Sequence, residues 1–289
     1  MELPHDRLWP RAQSLFSAEV GGHSDVTLVG VPASQTSLSP TSAHETPAAI
    51  RSALLRYSTA HSDPRVSLER LSLRDAGDVS SPDSNEQISI EQLTKLKAET
   101  ELLIALGGDN SVSYSAVKAT GATGLITFDA HYDLRDGVSN GSPVRRLIEA
   151  GLDGKKVVQI GIADFSNSSE YAKRAKDFGI TVIPRNALRS RSVSDVWAEA
   201  ISIAGGKTFV DFDMDVCDRS VVPACPAAAP GGISADEIRQ FAFLAGSSPS
   251  VIGADITEID STKDSSDERT VRLAALVVLE LIAGYSTRE

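Results

Sequence analysis

Leu125-Ile126-Thr127-Phe128 run without a break into Asp129-Ala130-His131-Tyr132-Asp133. The first four residues are apolar or β-branched with no polar alternation, the pattern of a strand covered on both faces. The next five change character abruptly. Residues two apart in an extended chain point to one side, so Asp129, His131 and Asp133 share a face. The same succession recurs twice. The run 102–106 leads into Gly107-Gly108-Asp109-Asn110-Ser111, and the run 208–212, which carries Asp211, leads into Asp213-Met214-Asp215. Further apolar runs at 26–31, 157–162, 180–183 and 251–256 alternate with segments of helical period. Those segments are 47–56, 90–101, 112–120, 143–150, 168–178, 192–204, 235–246 and 270–283. Thr46 before Pro47 and Ser234 before Ala235-Asp236-Glu237 suit helix N-caps. Repeated strand–helix units predict an α/β fold, a mostly parallel sheet with helices on both faces. The three polar motifs then fall at carboxyl ends of strands, the edge where open α/β sheets bind ligands.

Neither a repeat nor a linker interrupts this pattern. Segments 80–88 and 261–269 read as surface loops, so residues 1–289 are expected to form one domain. With 41% apolar and 23% charged residues, the chain can bury a sizeable core. Its 39 acids against 28 Lys+Arg, a net charge of −11, argue against nucleic acid or anionic membrane as a partner. The stretch 1–11 lacks the apolar core of a signal peptide. The most apolar stretch, 273–283, is interrupted by Glu280 and is about half of the ~20 residues a spanning helix needs. Only two cysteines, Cys217 and Cys225, are present, too few for a disulfide scaffold. A cytoplasmic address is expected.

Any one acidic pair at a strand end would serve equally well to cap the next helix. Their joint occurrence points further. Four carboxylates and an imidazole on one edge repel unless cations neutralise them, and two divalent ions would balance Asp129, Asp133, Asp213 and Asp215. Oxygen donors with one nitrogen suit Mn²⁺ best, with Fe²⁺, Co²⁺ or Mg²⁺ also open. A structural zinc knuckle is excluded by the spacing of Cys217 and Cys225.

The motifs GGDNS at 107–111, DAHYD at 129–133 and DFDMDVCDR at 211–219 resemble the ureohydrolase signatures GGDHS, DAHxD and SxDxDxxDP. That family includes arginases, agmatinases, formimidoylglutamases and guanidinobutyrases. The resemblance extends from Pro47-Ala48-Ala49-Ile50-Arg51 to Asp255-Ile256-Thr257-Glu258-Ile259-Asp260. It implies a three-layer αβα arginase-like fold with a mostly parallel eight-stranded sheet, and two Mn²⁺ per subunit bridged by hydroxide. By motif position, Asp129 and Asp213 would bridge the metals, His131 and Asp215 would complete one shell, and Asp133 would serve the other. Asn110 stands where the family places a histidine ligand to that second ion, so this site is expected to be weaker. Asn140 stands where arginases and agmatinases carry a proton-relay histidine. Arg219 follows Asp218 in place of the usual proline.

Within the family, Asp133-Leu134-Arg135, Asn140 to Leu147, and Gly161 to Ser168 are most similar to formimidoylglutamases. The implied reaction is N-formimidoyl-L-glutamate plus water to L-glutamate and formamide, a step of histidine degradation, by attack of the metal-bridging hydroxide. Asp133 would move the proton and Glu258 would pair with the amidinium. A substrate with two carboxylates needs local positive charge. Arg135 is the first candidate, followed by Arg145 and Arg146, and Asn140 is counted among the substrate-binding residues. The alternatives are an agmatinase or guanidinobutyrase on the same metals, or a catalytically weak member with a binding role. The family also suggests a trimer or hexamer.

Overall fold

The computed structural model describes residues 6–18 and 22–288. Residues 1–5 of the stretch read for a signal peptide lie outside the described residues, as do 19–21 and 289. Eight strands form one sheet: β1 Ser24–Val31, β2 Leu73–Asp78, β3 Thr100–Gly107, β4 Gly124–Phe128, β5 Val157–Ile160, β6 Thr181–Ile183, β7 Thr208–Asp213 and β8 Val251–Thr257. Their order is β2-β1-β3-β8-β7-β4-β5-β6, with every pairing parallel.

Successive side chains of each central strand enter opposite layers. Leu125 of β4 and Phe209 of β7 join the layer under α2 Glu86–Lys97, α3 Ser111–Thr120, α4 Pro143–Glu149 and α5 Ser169–Phe178. Ile126, Phe128, Val210 and Phe212 join the layer under α1 Thr46–Leu54, α6 Arg185–Leu188, α7 Val193–Ala204, α8 Ala235–Ser247 and α9 Arg269–Tyr285. Burial on both faces explains why these strands are apolar throughout instead of alternating. Phe128 anchors the second layer, its ring stacked at 5.1 Å on Phe212 and tilted at 4.6 Å against Phe241.

Strand β2 escaped the sequence reading because it is an edge strand with a polar sequence. Arg51 of α1 holds it: Nε and Nη2 donate to the two oxygens of Asp75 at 2.8 and 2.9 Å, and Nη1 donates to Asp78 at 2.6 Å. Helix α2 starts earlier than periodicity suggested, because Asn85 caps it through Ile88 N–H at 3.3 Å. Thr46 lies inside α1 and is not its cap. Its hydroxyl donates to the carbonyl of Ile259 at 2.6 Å and ties α1 to the chain beyond β8. Ser234 caps α8 as expected, in a reciprocal box with Glu237.

Candidate metal centre and active site

Strand order makes the site. The four central strands, β3-β8-β7-β4, are the four whose carboxyl ends carry the polar motifs. Chain order reverses here: β3 and β4 follow one another in sequence yet are separated by β8 and β7, the geometry that opens a crevice.

A glycine brings the first motif in. A Cβ on Gly108 would lie 1.8 Å from the carbonyl oxygen of Ala33, so only glycine allows that approach. The backbone locks around it: Gly108 N–H donates to Val31, Asp109 N–H to Ala33 at 2.9 Å, and Glu258 N–H to the Gly108 carbonyl at 3.0 Å. Asp133 and Glu258 both sit in the left-handed region, with φ of 53° and 63°. Such backbone is uncommon for these residues and persists where the surroundings hold it.

Asp129, His131 and Asp215 each offer a ligand atom within 4.8 Å of the others. His131 Nδ1 lies 2.9 Å from Asp215 Oδ2. One oxygen of each acid is held by backbone: Asp129 Oδ1 accepts from His131 N–H, Asp215 Oδ1 from Ala130 N–H, and Asp213 Oδ1 from Asp215 N–H at 2.9 Å. Asp129 Oδ2 is buried and has no hydrogen-bond partner. An orphaned carboxylate oxygen among buried acids is what a hard divalent cation would satisfy, so the donor set fits the implied metal.

The electrostatics agree. Burial, then the charge of Asp215, pushes Asp129 up to about 6. Burial with the neighbouring acids pushes Asp133 and Asp213 well above the carboxylate range. Burial would lower His131, but Asp215 and Asp129 override it and push the imidazole up to about 12. Burial opposes ionisation of Asp215 too, yet His131 holds it below its usual range. Protons thus occupy the cluster where cations would otherwise sit.

His131, Asp133, Asp213, Asp215 and Glu258 line one cavity of about 420 Å³. Arg135 and Asn140 line it as well, together with Ser37–Ser39 and Phe165–Ser168, which the sequence reading did not assign to the site. Asn167 has a visible purpose: its oxygen accepts from Tyr132 N–H at 3.1 Å and its amide donates to the Ala130 carbonyl at 2.9 Å. It thereby fixes the loop that carries His131.

Asn110 meets the cluster through its nitrogen. Its Nδ2 donates to Asp133 Oδ2 at 2.6 Å, while its oxygen accepts from the hydroxyls of Ser113 and Thr257 at 2.6 and 3.0 Å. Asn140 donates to Glu258 and accepts Leu38 N–H at 3.0 Å, joining the loop after β1 to the site. Arg219 fills the proline position and donates to the carbonyls of Cys225 and Pro226, bracing the segment that carries Pro226 and Ala227 into the cavity wall.

The arginine candidates separate. Arg135 reaches the cavity, and no charge partner engages its guanidinium among the described residues. Arg145 does not line the cavity: its guanidinium donates to the carbonyls of Arg135 and Gly137 and pairs with Glu149. The direct contact with substrate expected of it is therefore corrected to a contact with the loop. Arg146 faces elsewhere, forked onto Glu86 at 2.9 and 2.6 Å and stacked 3.7 Å over Tyr114.

The Arginase family model matches residues 24–284. A formimidoylglutamase of Halalkalibacterium halodurans is 38% identical, the alignment covering 96% of this chain and 93% of that one. The chain belongs to the arginase family. Among solved structures of that family, formimidoylglutamase from Bacillus subtilis superposes with a TM-score of 0.92 at 31% identity, over 99% of this chain and 95% of that one. Trypanosoma cruzi formiminoglutamase, solved with two Mn²⁺, superposes with a TM-score of 0.90 at 27% identity, over 97% of this chain and 100% of that one. The eight-stranded parallel sheet between two helical layers is thus the arginase-family fold that the motif resemblance implied.

Proposed function

We propose that this chain is a manganese-dependent formimidoylglutamase, converting N-formimidoyl-L-glutamate and water to L-glutamate and formamide. The carrying observation is one cavity lined together by His131, Asp213 and Asp215, by Glu258 and by the unpaired Arg135, with Asp129 buried beside His131 and Asp215. An amidinium and a carboxylate on one substrate need an acid and a base-free cation at separate points of one site. An agmatinase has no use for the arginine, since its substrate carries no carboxylate.

Asp129, His131, Asp213 and Asp215 would hold one ion, and Asp129, Asp133 and Asp213 a second, with Asn110 beside it. Divalent cations held there would lower the pKa of a bound water and so supply hydroxide near neutral pH. The chain's own residues do the rest. Glu258 pairs with the amidinium. Asp133, held in place by the Asn110 amide, takes the proton of the attacking water and hands it to the glutamate nitrogen as the C–N bond breaks. The carbon keeps its hydrogen, its second nitrogen and the new oxygen, which together are formamide. Arg135 receives a substrate carboxylate.

No helix of the described residues is long and apolar enough to cross a membrane. Buried, unpaired Cys217 and Cys225 suit a reducing cytoplasm, and the family resemblance supports a trimer or hexamer. An amidine panel assayed after Mn²⁺ loading tests the reading. Release of formamide and glutamate without ammonia is expected, and turnover of agmatine alone would overturn it.

A further inference from the structure

The geometry points to Arg145, Arg174 and Gly141 as positioning residues that hold Arg135 open for a substrate carboxylate. The inference rests on the anionic-substrate reading above. Arg135 lies in the loop between the DAHYD motif and α4, and three successive features fix that loop. Arg174 of α5 donates from Nη1 to the Leu134 carbonyl at 2.6 Å. Arg145 of α4 donates from Nε to the Arg135 carbonyl at 2.6 Å and from Nη2 to the Gly137 carbonyl. Arg135 N–H donates to the Gly141 carbonyl at 2.9 Å, closing the loop on itself. Guanidinium-to-carbonyl bonds are charge-assisted, and a planar fork reaching two carbonyls sets both position and direction.

The side chain is guided as well. A Cβ on Gly141 would lie 2.7 Å from Cδ of Arg135 and 3.2 Å from its Nε. The arginine stem therefore crosses directly over residue 141, and a Cβ there would make that stem move aside from its present path. Competition is removed by the same device. Asp136 is the acid adjacent to Arg135 in the chain, and Arg174 Nη1 holds its Oδ1 at 2.8 Å. In a protein with 39 acids and a net charge of −11, keeping one guanidinium unpaired at a cavity wall requires such an arrangement. Two arginines saturated by the loop leave the third free for substrate.

The test is a double-mutant cycle on the full-length, Mn²⁺-loaded protein. Gly141→Ala, Arg174→Ala, Arg145→Ala and the milder Arg145→Lys are each made alone and with Arg135→Ala. KM and kcat are measured for N-formimidoyl-L-glutamate and for N-butylformamidine, an amidine without carboxylates. Arg135→Ala is expected to raise KM for the anionic substrate about tenfold or more, and each positioning variant about three- to tenfold, with non-additive doubles. The preference for the anionic substrate over the neutral one should fall in every single variant. Equal losses on both substrates, or additive doubles, overturn the inference while the substrate reading stands. A wild-type protein that hydrolyses N-butylformamidine but not formimidoylglutamate overturns both.

Discussion

Asn140 donates its side-chain amide to Oε1 of Glu258 at 2.7 Å, the same oxygen that accepts Asn110 N–H at 2.8 Å. Two donors on one oxygen leave the other free to face the cavity. Burial, then the charge of Asp109, pushes Glu258 up to about 7, and these two hydrogen bonds pull against that rise. Removing one should make Glu258 harder to ionise. In Asn140→Ala the acid limb of kcat/KM is expected to move to higher pH by about one unit, the worth of one hydrogen bond to a charged group. Glu258→Gln should lower kcat/KM by about 10²- to 10³-fold at every pH. An unshifted limb in Asn140→Ala would count against this pairing.

Asn110 gives a second prediction. Its nitrogen faces Asp133, and Ser113 and Thr257 hold its oxygen on the other side. An amide is a poorer Mn²⁺ donor than imidazole, and this one presents a hydrogen. Asn110→His should raise metal affinity at the site shared with Asp133, tenfold or more by the usual effect of gaining a ligand. Metal analysis after dialysis reads it directly. Equal, full occupancy of two ions in both proteins would refute the expectation.

How much of this was legible beforehand depended on how local each feature is. Strand-end spacing is local, so Asp129, His131, Asp133, Asp213 and Asp215 could be grouped from sequence, and the cavity contains or adjoins all of them. Strand β2 was invisible because its signature is not apolar burial but the partnership of Asp75 and Asp78 with Arg51 of a distant helix. Arg135 and Arg145 were indistinguishable as arginines near a motif. Only the path of the loop decides which guanidinium finds carbonyls. The role of Asn110 turned on two hydroxyls, one of them 147 positions away in sequence. Asp211, where the family motif has serine, pairs in register with Asp255 across β7 and β8, both fully buried. Burial and the charge of Asp255 hold Asp211 far above the carboxylate range, a consequence no spacing rule displays.

The acid cluster also fixes the sign of a stability change. Asp109 and Asp129 are raised to about 6, and Asp255 and Glu258 to about 7, in each case chiefly by burial. Between the unfolded carboxylate values near 4 and these folded values, the folded chain binds more protons than the unfolded one. Stability of the metal-stripped protein therefore falls as pH rises through this window. His131, raised to about 12, adds a loss of the same sign above its unfolded value near 6.5. Calorimetry of stripped protein should show Tm decreasing from about pH 5 to pH 8, with the stabilisation by added Mn²⁺ growing over the same range. A stripped protein whose Tm rises over that interval would contradict the assignment of these shifts.

Two glycines offer a matched comparison of packing with backbone strain. Gly121 ends α3 at φ 65°, and a Cβ there would meet nothing within 4 Å. Gly121→Ala should cost only the left-handed penalty, about 1 kcal/mol, and leave metal binding intact. Gly108 is the reverse case: its Cβ would lie 1.8 Å from Ala33 O and 2.7 Å from both Ala33 C and N, all of them backbone. A side chain could swing away, but a strand-end loop hydrogen-bonded on both sides cannot. Gly108→Ala should cost more than about 3 kcal/mol, the upper end of overpacking. Because Glu258 N–H donates to the Gly108 carbonyl, the displacement passes to Glu258 and to Asn110 next to the cluster. Chemical denaturation and metal analysis should therefore change together in Gly108→Ala, and only denaturation in Gly121→Ala. If Gly108→Ala lost stability yet bound metal and turned over substrate as the parent does, the loop after β3 would be a fold element alone and not the mount of the site.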